Sequence, residues 1–205
     1  LRQVSAMTSG GEGQSYWKFS QWRWMPSLKK NLIYAPLWRK RHNREIQLSG
    51  AISIGTLPSR LHFVILGIYL LSNLGYMFFL NWKQENRYEF YAQVRGRSGT
   101  LSAVNMVPLI LMAGRNNPLI SMLRISFDTY NLLHRWMGRM VVIEAIIHTI
   151  AWAIVQVADG GFESMNYRLL HDDFIASGFA GTLSLALLLI LSASPVRHAF
   201  YETFL

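Results

Sequence analysis

Long apolar blocks separated by short polar segments dominate the chain from residue 62 onward. The first block, residues 62–82, is 21 residues long and uncharged, which as a helix at about 1.5 Å per residue crosses roughly 30 Å of hydrocarbon. Further apolar blocks follow at residues 98–114, 131–157 and 174–193, and a fifth helix begins at Pro195 within residues 195–205. The pattern predicts an all-α membrane protein, a polytopic transmembrane helix bundle over residues 62–205.

Two irregularities interrupt these blocks. Pro108 lies within the second predicted span, so we expect that span to be kinked. The run Asp159-Gly160-Gly161 is predicted to end the third span, and the polar residues up to Asp173 are predicted to form a loop. Residues 83–97 are predicted to form the other long polar loop.

The segment before the first apolar block is rich in aromatic and basic residues. Residues 15–61 carry nine Lys or Arg and four Trp against one acidic residue, Glu45. Indoles mixed with cations are typical of a cytoplasmic segment at the headgroup level of a bilayer. An RNA-binding arm is the rival interpretation. The membrane spans that follow at once disfavour it, so no nucleic-acid partner is expected.

The remaining composition adds two constraints. Residues 1–14 lack periodicity and are predicted to be a flexible tail, and with no initiator Met the chain is expected to be a fragment. The chain has no Cys, which excludes disulfides and Cys-ligated iron–sulfur clusters.

The net charge of +9 is concentrated in the basic segment. With that segment in the cytoplasm, residues 83–97 and 158–173 lie outside and residues 115–130 inside.

Two histidines in the third predicted span are the strongest candidates for chemistry. His134 and His148 are fourteen residues apart. In an α-helix this separation places both imidazoles within about 40° of one face and roughly 21 Å apart along the axis. That geometry suits two stacked metal centres, and haem iron held by His is the obvious candidate. The alternative is that each is a polar residue satisfied by a carbonyl within a helical bundle.

A third histidine lies where it can complete one of these centres. Spans three and five run in the same direction, so His134 and His198 lie at the same, cytoplasmic, depth and can ligate one iron from opposite sides. His148 then has no partner in the chain. We expect another His about thirteen to fifteen residues after His198, beyond Leu205.

Three charged residues share the third span with these histidines. Arg135 and Arg139 lie near its inner end, where haem propionates would provide carboxylates for their guanidinium groups. Snorkelling to lipid phosphates is the alternative. Glu144, near mid-span, could accept a bond from an imidazole or serve a proton or cation path, or it could be a neutral structural acid.

The other histidines and the methionines do not resemble ligands. His42 is expected to be solvated and His62 interfacial. His171 is expected to be part of a solvated acidic loop, and the alternative is that it binds a metal transiently with Asp172 and Asp173. The methionines near the candidate centres are expected to be packing residues. They are Met106, Met112, Met137 and Met140.

Several stretches together resemble one family. These are APLWRKRHNRE, GTLPSR, RNNPL, SFDTYNLLHRWMGR, EAIIHT and SPVRHAFYETF. Over about residues 16–205 the chain resembles the transmembrane domain of fungal ferric and cupric reductases, which are relatives of the NADPH oxidases. In that family four histidines on two helices bind two b-type haems. The resemblance places His134 and His198 at the inner haem and His148 at the outer one.

The resemblance also implies a reaction and a location. Cytosolic NADPH would give a hydride to FAD, which would pass single electrons across the membrane to extracellular Fe(III) or Cu(II) chelates. The FAD and NADPH segments of the family are expected downstream of this chain, so this part alone is expected to be unable to oxidise NADPH. A ferric-chelate reductase in the plasma membrane is therefore expected, with the lipid bilayer as its surroundings, and a homo-oligomer is compatible with it.

Two other functions remain open from the sequence. A superoxide-producing oxidase of the NADPH oxidase type would use the same electron path and differ only in its acceptor. A non-enzymatic haem-carrying membrane fragment would keep the histidines but lack turnover.

Overall fold

The computed structural model describes residues 24–33, 35, 45–49, 52–56, 59–83, 85–114, 120, 122, 127–193 and 196. Its long helices are α2, Arg60–Phe78; α3, Arg87–Leu111; α4, Phe127–His171; and α5, Asp173–Leu191. Before them come a short helix α1, Met25–Leu28, a π-helical turn, Lys29–Ile33, and two strands, β1, Glu45–Ser49, and β2, Ile52–Thr56. The predicted all-α membrane bundle is confirmed for the long helices.

The strands form an antiparallel hairpin that the sequence analysis did not predict. β1 pairs with β2 from Glu45 opposite Thr56 to Ser49 opposite Ile52, with irregular register between these ends. The hairpin lies inside the basic segment, 15–61. The tail at 1–14, His42, and the fifth helix except for residue 196 lie outside the described residues.

Many large apolar side chains on the long helices are exposed, whereas several polar ones are buried between the helices. On α2, Phe63, Ile68 and Leu71 are exposed, while Asn73 is buried. This inverted pattern is what a lipid environment favours, because lipid solvates apolar side chains and polar groups must find partners inside the bundle. Three of the described helices, α2, α4 and α5, are long and apolar enough to cross a membrane.

Helix α3 begins earlier than the second predicted span. It starts at Arg87, within the stretch predicted to be a polar loop at 83–97, and only residues 83–86 precede it. The charged first half of α3 is held against α2 by Arg97. Its guanidinium donates a hydrogen bond to the backbone carbonyl of Tyr76 at 2.9 Å and lies 4.9 Å from the centroid of the Tyr76 ring. Pro108 is inside the helix, which continues to Leu111.

Helix α3 is also more polar than the other long helices, and it is not among the three that qualify as spans by length and hydropathy. Its polar side chains Ser98, Ser102 and Asn105 are buried. Since α3 makes its most extensive contacts with α4, these groups are shielded by protein rather than exposed to lipid.

Helix α4 runs through both the third predicted span and the stretch predicted to be a loop. The predicted break is present, because Gly161 has φ 75° and ψ 178°, a conformation that only glycine adopts at low cost. The prediction of a loop up to Asp173 is wrong, since helix resumes directly after the kink and ends at His171. Polarity there marks an exposed helix rather than an irregular segment.

Helix α5 matches the fourth predicted span closely. Asp172 caps it, with its side chain accepting from the amides of Phe174 at 3.1 Å and Ile175 at 3.4 Å. None of its side chains is fully buried among the described residues. Helix α5 packs against α4.

Candidate functional site

Helices α3 and α4 lie antiparallel, and three polar contacts fix their register. The Nδ1 atom of His134 lies 3.0 Å from the Leu109 carbonyl oxygen, and that of His148 lies 2.8 Å from the Arg95 carbonyl oxygen. Between them the Ser102 hydroxyl donates to the Val141 carbonyl at 3.3 Å. The contacts recur every seven residues on each helix, which is two helical turns, so one stripe of α4 faces α3 throughout.

This contact pattern shows that both imidazoles point toward the same neighbouring helix, as their spacing predicts. Helix α4 is uninterrupted between them, because its kink comes later, at Gly161. The separation of His134 from His148 along the axis is therefore roughly 21 Å. A small apolar cluster of Leu109, Met137 and Val141 fills the helix interface on the His134 side.

The carbonyl partners determine the tautomer of each imidazole. A carbonyl oxygen only accepts, so Nδ1 of His134 and Nδ1 of His148 must each carry the hydrogen. In a neutral ring Nε2 then has a lone pair, and within the described ranges neither Nε2 has a hydrogen-bond partner. An imidazole whose Nδ1–H is anchored on a backbone carbonyl is the form that presents Nε2 to a metal.

The alternative that these are simply satisfied bundle histidines accounts for only one nitrogen of each ring. The carbonyl contacts that it requires are present. They leave the second nitrogen of both rings without a hydrogen-bond partner in the described part of the chain.

The approach of His148 to α3 depends on Gly99. A Cβ atom at this position would lie 2.6 Å from Nδ1 and 2.8 Å from Cε1 of His148. Both distances are shorter than van der Waals contact, so a side chain at residue 99 would displace the imidazole from the Arg95 carbonyl. Gly99 is thus a functional candidate that the sequence analysis missed, since a single glycine in a helix has no distinctive pattern.

A cavity of about 540 Å³ adjoins His148 between α4 and α5. Its lining includes the aromatic side chains of Trp152, Phe174 and Phe179, and Arg95 of α3 contributes a charge. The volume is within the roughly 300–1,000 Å³ typical of ligand and cofactor sites. An apolar cavity beside an available imidazole nitrogen fits a large flat group such as haem, with Arg95 as a partner for an anionic substituent.

The predicted basic residues near His134 are both half-buried. The Arg139 guanidinium lies 5.0 Å from the ring centroid of Trp136. Arg135 is one residue from His134, and like Arg139 it places a cation in the half of α4 that contains His134. His198, the predicted partner of His134, lies outside the described residues, so the pairing stays a prediction.

Glu144 is buried and accepts hydrogen bonds from an amide, with no imidazole contact among the described residues. The Nδ2 atom of Asn105 lies 3.0 Å and 3.2 Å from its two carboxylate oxygens.

The other described histidines make different contacts. His62 contacts Ser59 and Thr129 through its two ring nitrogens, and His171 stacks on Tyr167 with 4.4 Å between ring centroids. No group of three or more metal-binding His, Asp or Glu side chains occurs within the described part of the chain.

Apolar outward-facing helices with a polar, histidine-bearing seam between α3 and α4 define a multi-pass membrane protein with a candidate cofactor site inside its bundle. Residues 98–205 match the family described as ferric reductase like transmembrane component. The match covers more than half of the 205 residues and includes α4 and both anchored histidines. The chain therefore belongs to this family, and the predicted resemblance is confirmed.

Individual relatives come from yeasts. The chain is 30% identical over 162 residues to ferric/cupric reductase transmembrane component 2 of Saccharomyces cerevisiae, covering 75% of this chain and 22% of that protein. Ferric reductase transmembrane component 3 of the same yeast is 26% identical over 193 residues, 87% of this chain and 25% of the relative. A probable ferric reductase transmembrane component of Candida albicans is 26% identical over 185 residues, which cover 86% of this chain and 27% of that protein.

The chain thus spans about a quarter of the length of these curated relatives. No solved structure matches it.

Proposed function

We propose that the protein is the haem-bearing transmembrane part of a metalloreductase, which carries electrons across the membrane to extracellular Fe(III) or Cu(II). The observation that carries this proposal is the pair of imidazoles on α4, His134 and His148, each anchored through Nδ1 on a carbonyl of α3. The names of the yeast relatives, ferric and ferric/cupric reductase components, support metal as the acceptor.

Two b-type haems are the proposed cofactors. His134 and His148 would each offer Nε2 to iron, and His198 is the proposed second ligand at the level of His134. Haem iron with two imidazole ligands supplies a one-electron couple suited to electron transfer. Arg135 and Arg139 would balance anionic substituents at the inner position, and Arg95 would do so at the outer one.

The chain itself performs three tasks in this proposal. The carbonyls of Leu109 and Arg95 hold the imidazoles in one tautomer, which fixes the direction of each ligand atom. Helix α4 separates the two positions by roughly 21 Å, dividing a hydrocarbon layer of about 30 Å. The apolar side chains around the cavity beside His148 limit the access of water to its ring.

The source of electrons and the location belong to the same proposal. Cytosolic NADPH would reduce FAD in a part of the protein outside this chain, and the acceptor would be reduced on the outer side of the plasma membrane. In this orientation His134 is at the cytoplasmic level and His148 at the extracellular level. The basic segment at 15–61 faces the cytoplasm, as the distribution of Lys and Arg favours.

Cells expressing the intact protein are expected to reduce a membrane-impermeant Fe(III) chelate added outside. His148→Ala is expected to lower the rate to that of cells without the protein, because the outer relay position is lost. The matched control is His171→Ala, since this histidine is exposed and stacks on Tyr167, and its replacement should leave the rate unchanged. The measurement is the appearance of Fe(II) bound to a coloured chelator.

Superoxide dismutase in the same assay separates metal reduction from superoxide production. If electrons pass directly to the Fe(III) chelate, superoxide dismutase should leave the rate of Fe(II) formation unchanged. A rate abolished by dismutase would assign the protein to the superoxide-producing oxidases, and a full rate in His148→Ala would contradict the proposed electron path.

A further inference from the structure

A polar cluster connects three helices in the middle of the bundle. The Nδ2 group of Asn105 on α3 donates to the Glu144 carboxylate on α4 and, at 2.7 Å, to Oδ1 of Asn73 on α2. Asn73 in turn donates to the carbonyl of Tyr69, also at 2.7 Å. Polar side chains at this depth are costly unless they are paired, so a cluster that joins three helices is a candidate for function.

Glu144 is the member that the proposed haem sites do not use. Its side chain is 2% exposed, and its hydrogen bonds come from one neutral amide. Among the described residues no Lys, Arg or His side chain forms an ion pair with it. An ionised carboxylate is expensive to bury without a compensating positive charge, and a shared amide N–H offsets only part of that cost. An oxidised cationic group held at His148 would supply that charge, and its reduction would remove it.

Other ionisable groups near the cluster are few. Helix α2 contributes Tyr69, whose hydroxyl is buried and has no hydrogen-bond partner among the described residues. Helix α3 has none between Ser98 and Leu111, and α5 has none after Asp173. On α4 itself the nearest are His148, one turn outward, and Arg139, more than one turn inward. Glu144 is therefore the group whose charge can change most readily at this depth.

The position of Glu144 couples it to one relay site more than to the other. It is four residues from His148 and ten from His134, or roughly 6 Å and 15 Å along the helix axis. Charges interact strongly over such distances where water is excluded. An electron that arrives at the His148 position repels a carboxylate at Glu144, and a proton on that carboxylate removes the repulsion.

We propose that Glu144 binds one proton when the group held at His148 gains one electron, and releases it on reoxidation. The electron comes from the reductant, which is the flavin in the intact protein or dithionite in a titration. The proton comes from water and forms an O–H bond on a carboxylate oxygen of Glu144. The net charge of the bundle centre is then the same before and after electron transfer. This inference rests on the proposed function of His148.

The test is a redox titration of the intact protein, purified in detergent, at several pH values. One proton per electron predicts that the midpoint potential of one haem falls by about 59 mV for each tenfold decrease in proton activity. Glu144→Gln keeps the shape of the side chain and an acceptor for Asn105 but cannot bind the proton, so this dependence should disappear. Glu163→Gln is the matched control, because it is the same change at an exposed site on α4 and should keep the dependence.

An infrared difference spectrum of the unchanged protein provides a second readout, which does not depend on the folding of a variant. Reduction should produce the C=O band of a newly protonated carboxylic acid. A pH-independent potential in the wild type, a dependence retained in Glu144→Gln, or the absence of that band would overturn the inference while leaving the haem assignment intact. Wild-type protein without b-type haem would overturn the proposed function and this inference together.

Discussion

Replacing His148 by alanine is expected to remove about half of the b-type haem from the intact protein, because one of two binding positions loses its ligand. His134→Ala should remove a similar share, from the other position. Each variant should keep the remaining haem, since the two imidazoles lie roughly 21 Å apart and contact different turns of α3. The measurement is a dithionite-reduced minus oxidised absorbance spectrum, normalised to protein.

His171→Ala is the control for this pair, as its ring is exposed and stacks on Tyr167. It should retain the full haem content. If neither His134→Ala nor His148→Ala lowers the haem content, the assignment of both ligands is wrong. If either change removes all haem, the two positions are not independent, and the division of the membrane into two levels would have to be abandoned.

The sequence predicts the membrane helices well because each depends mainly on the apolar composition of its own segment. Long uncharged blocks such as 62–82 and 174–193 have no alternative stable structure in lipid, and α2 and α5 follow them closely. The polar stretches are less predictable. Charged residues at 83–97 can form either a loop or an exposed helix, and it is Arg97 with its contacts to α2 that favours the helix here.

The site is predictable to the level of one helix and no further. The spacing of His134 and His148 determines that they share a face, because it depends only on helical periodicity. Which groups they meet depends on the register of α3 against α4. That register is set by contacts between distant parts of the chain, such as Ser102 with Val141. Glu144 was open to several interpretations for the same reason, since its partner Asn105 is on another helix.

Gly99→Ala is expected to weaken haem retention at the His148 position by roughly 10–100-fold, the usual effect of disturbing a group that orients a metal ligand. The added Cβ would lie 2.6 Å from Nδ1 of His148, so the ring must move away from the Arg95 carbonyl. This movement of the His148 ring breaks the hydrogen bond that fixes its tautomer and changes the direction in which Nε2 points. The measurement is the loss of haem absorbance during dialysis against apomyoglobin, which captures released haem.

Gly96→Ala separates this steric effect from the general effect of alanine in a helix. Gly96 lies one turn before Gly99 on α3, and a Cβ there would meet nothing within 4 Å. Alanine favours a helix over glycine by about 1 kcal/mol, so Gly96→Ala should raise the thermal stability and leave haem retention unchanged. Gly99→Ala gains the same propensity and should nevertheless lose haem. If both variants retain haem like the wild type, the close approach of His148 to α3 does not position a ligand, and the hydrogen bond to the Arg95 carbonyl has no part in haem binding at the His148 position.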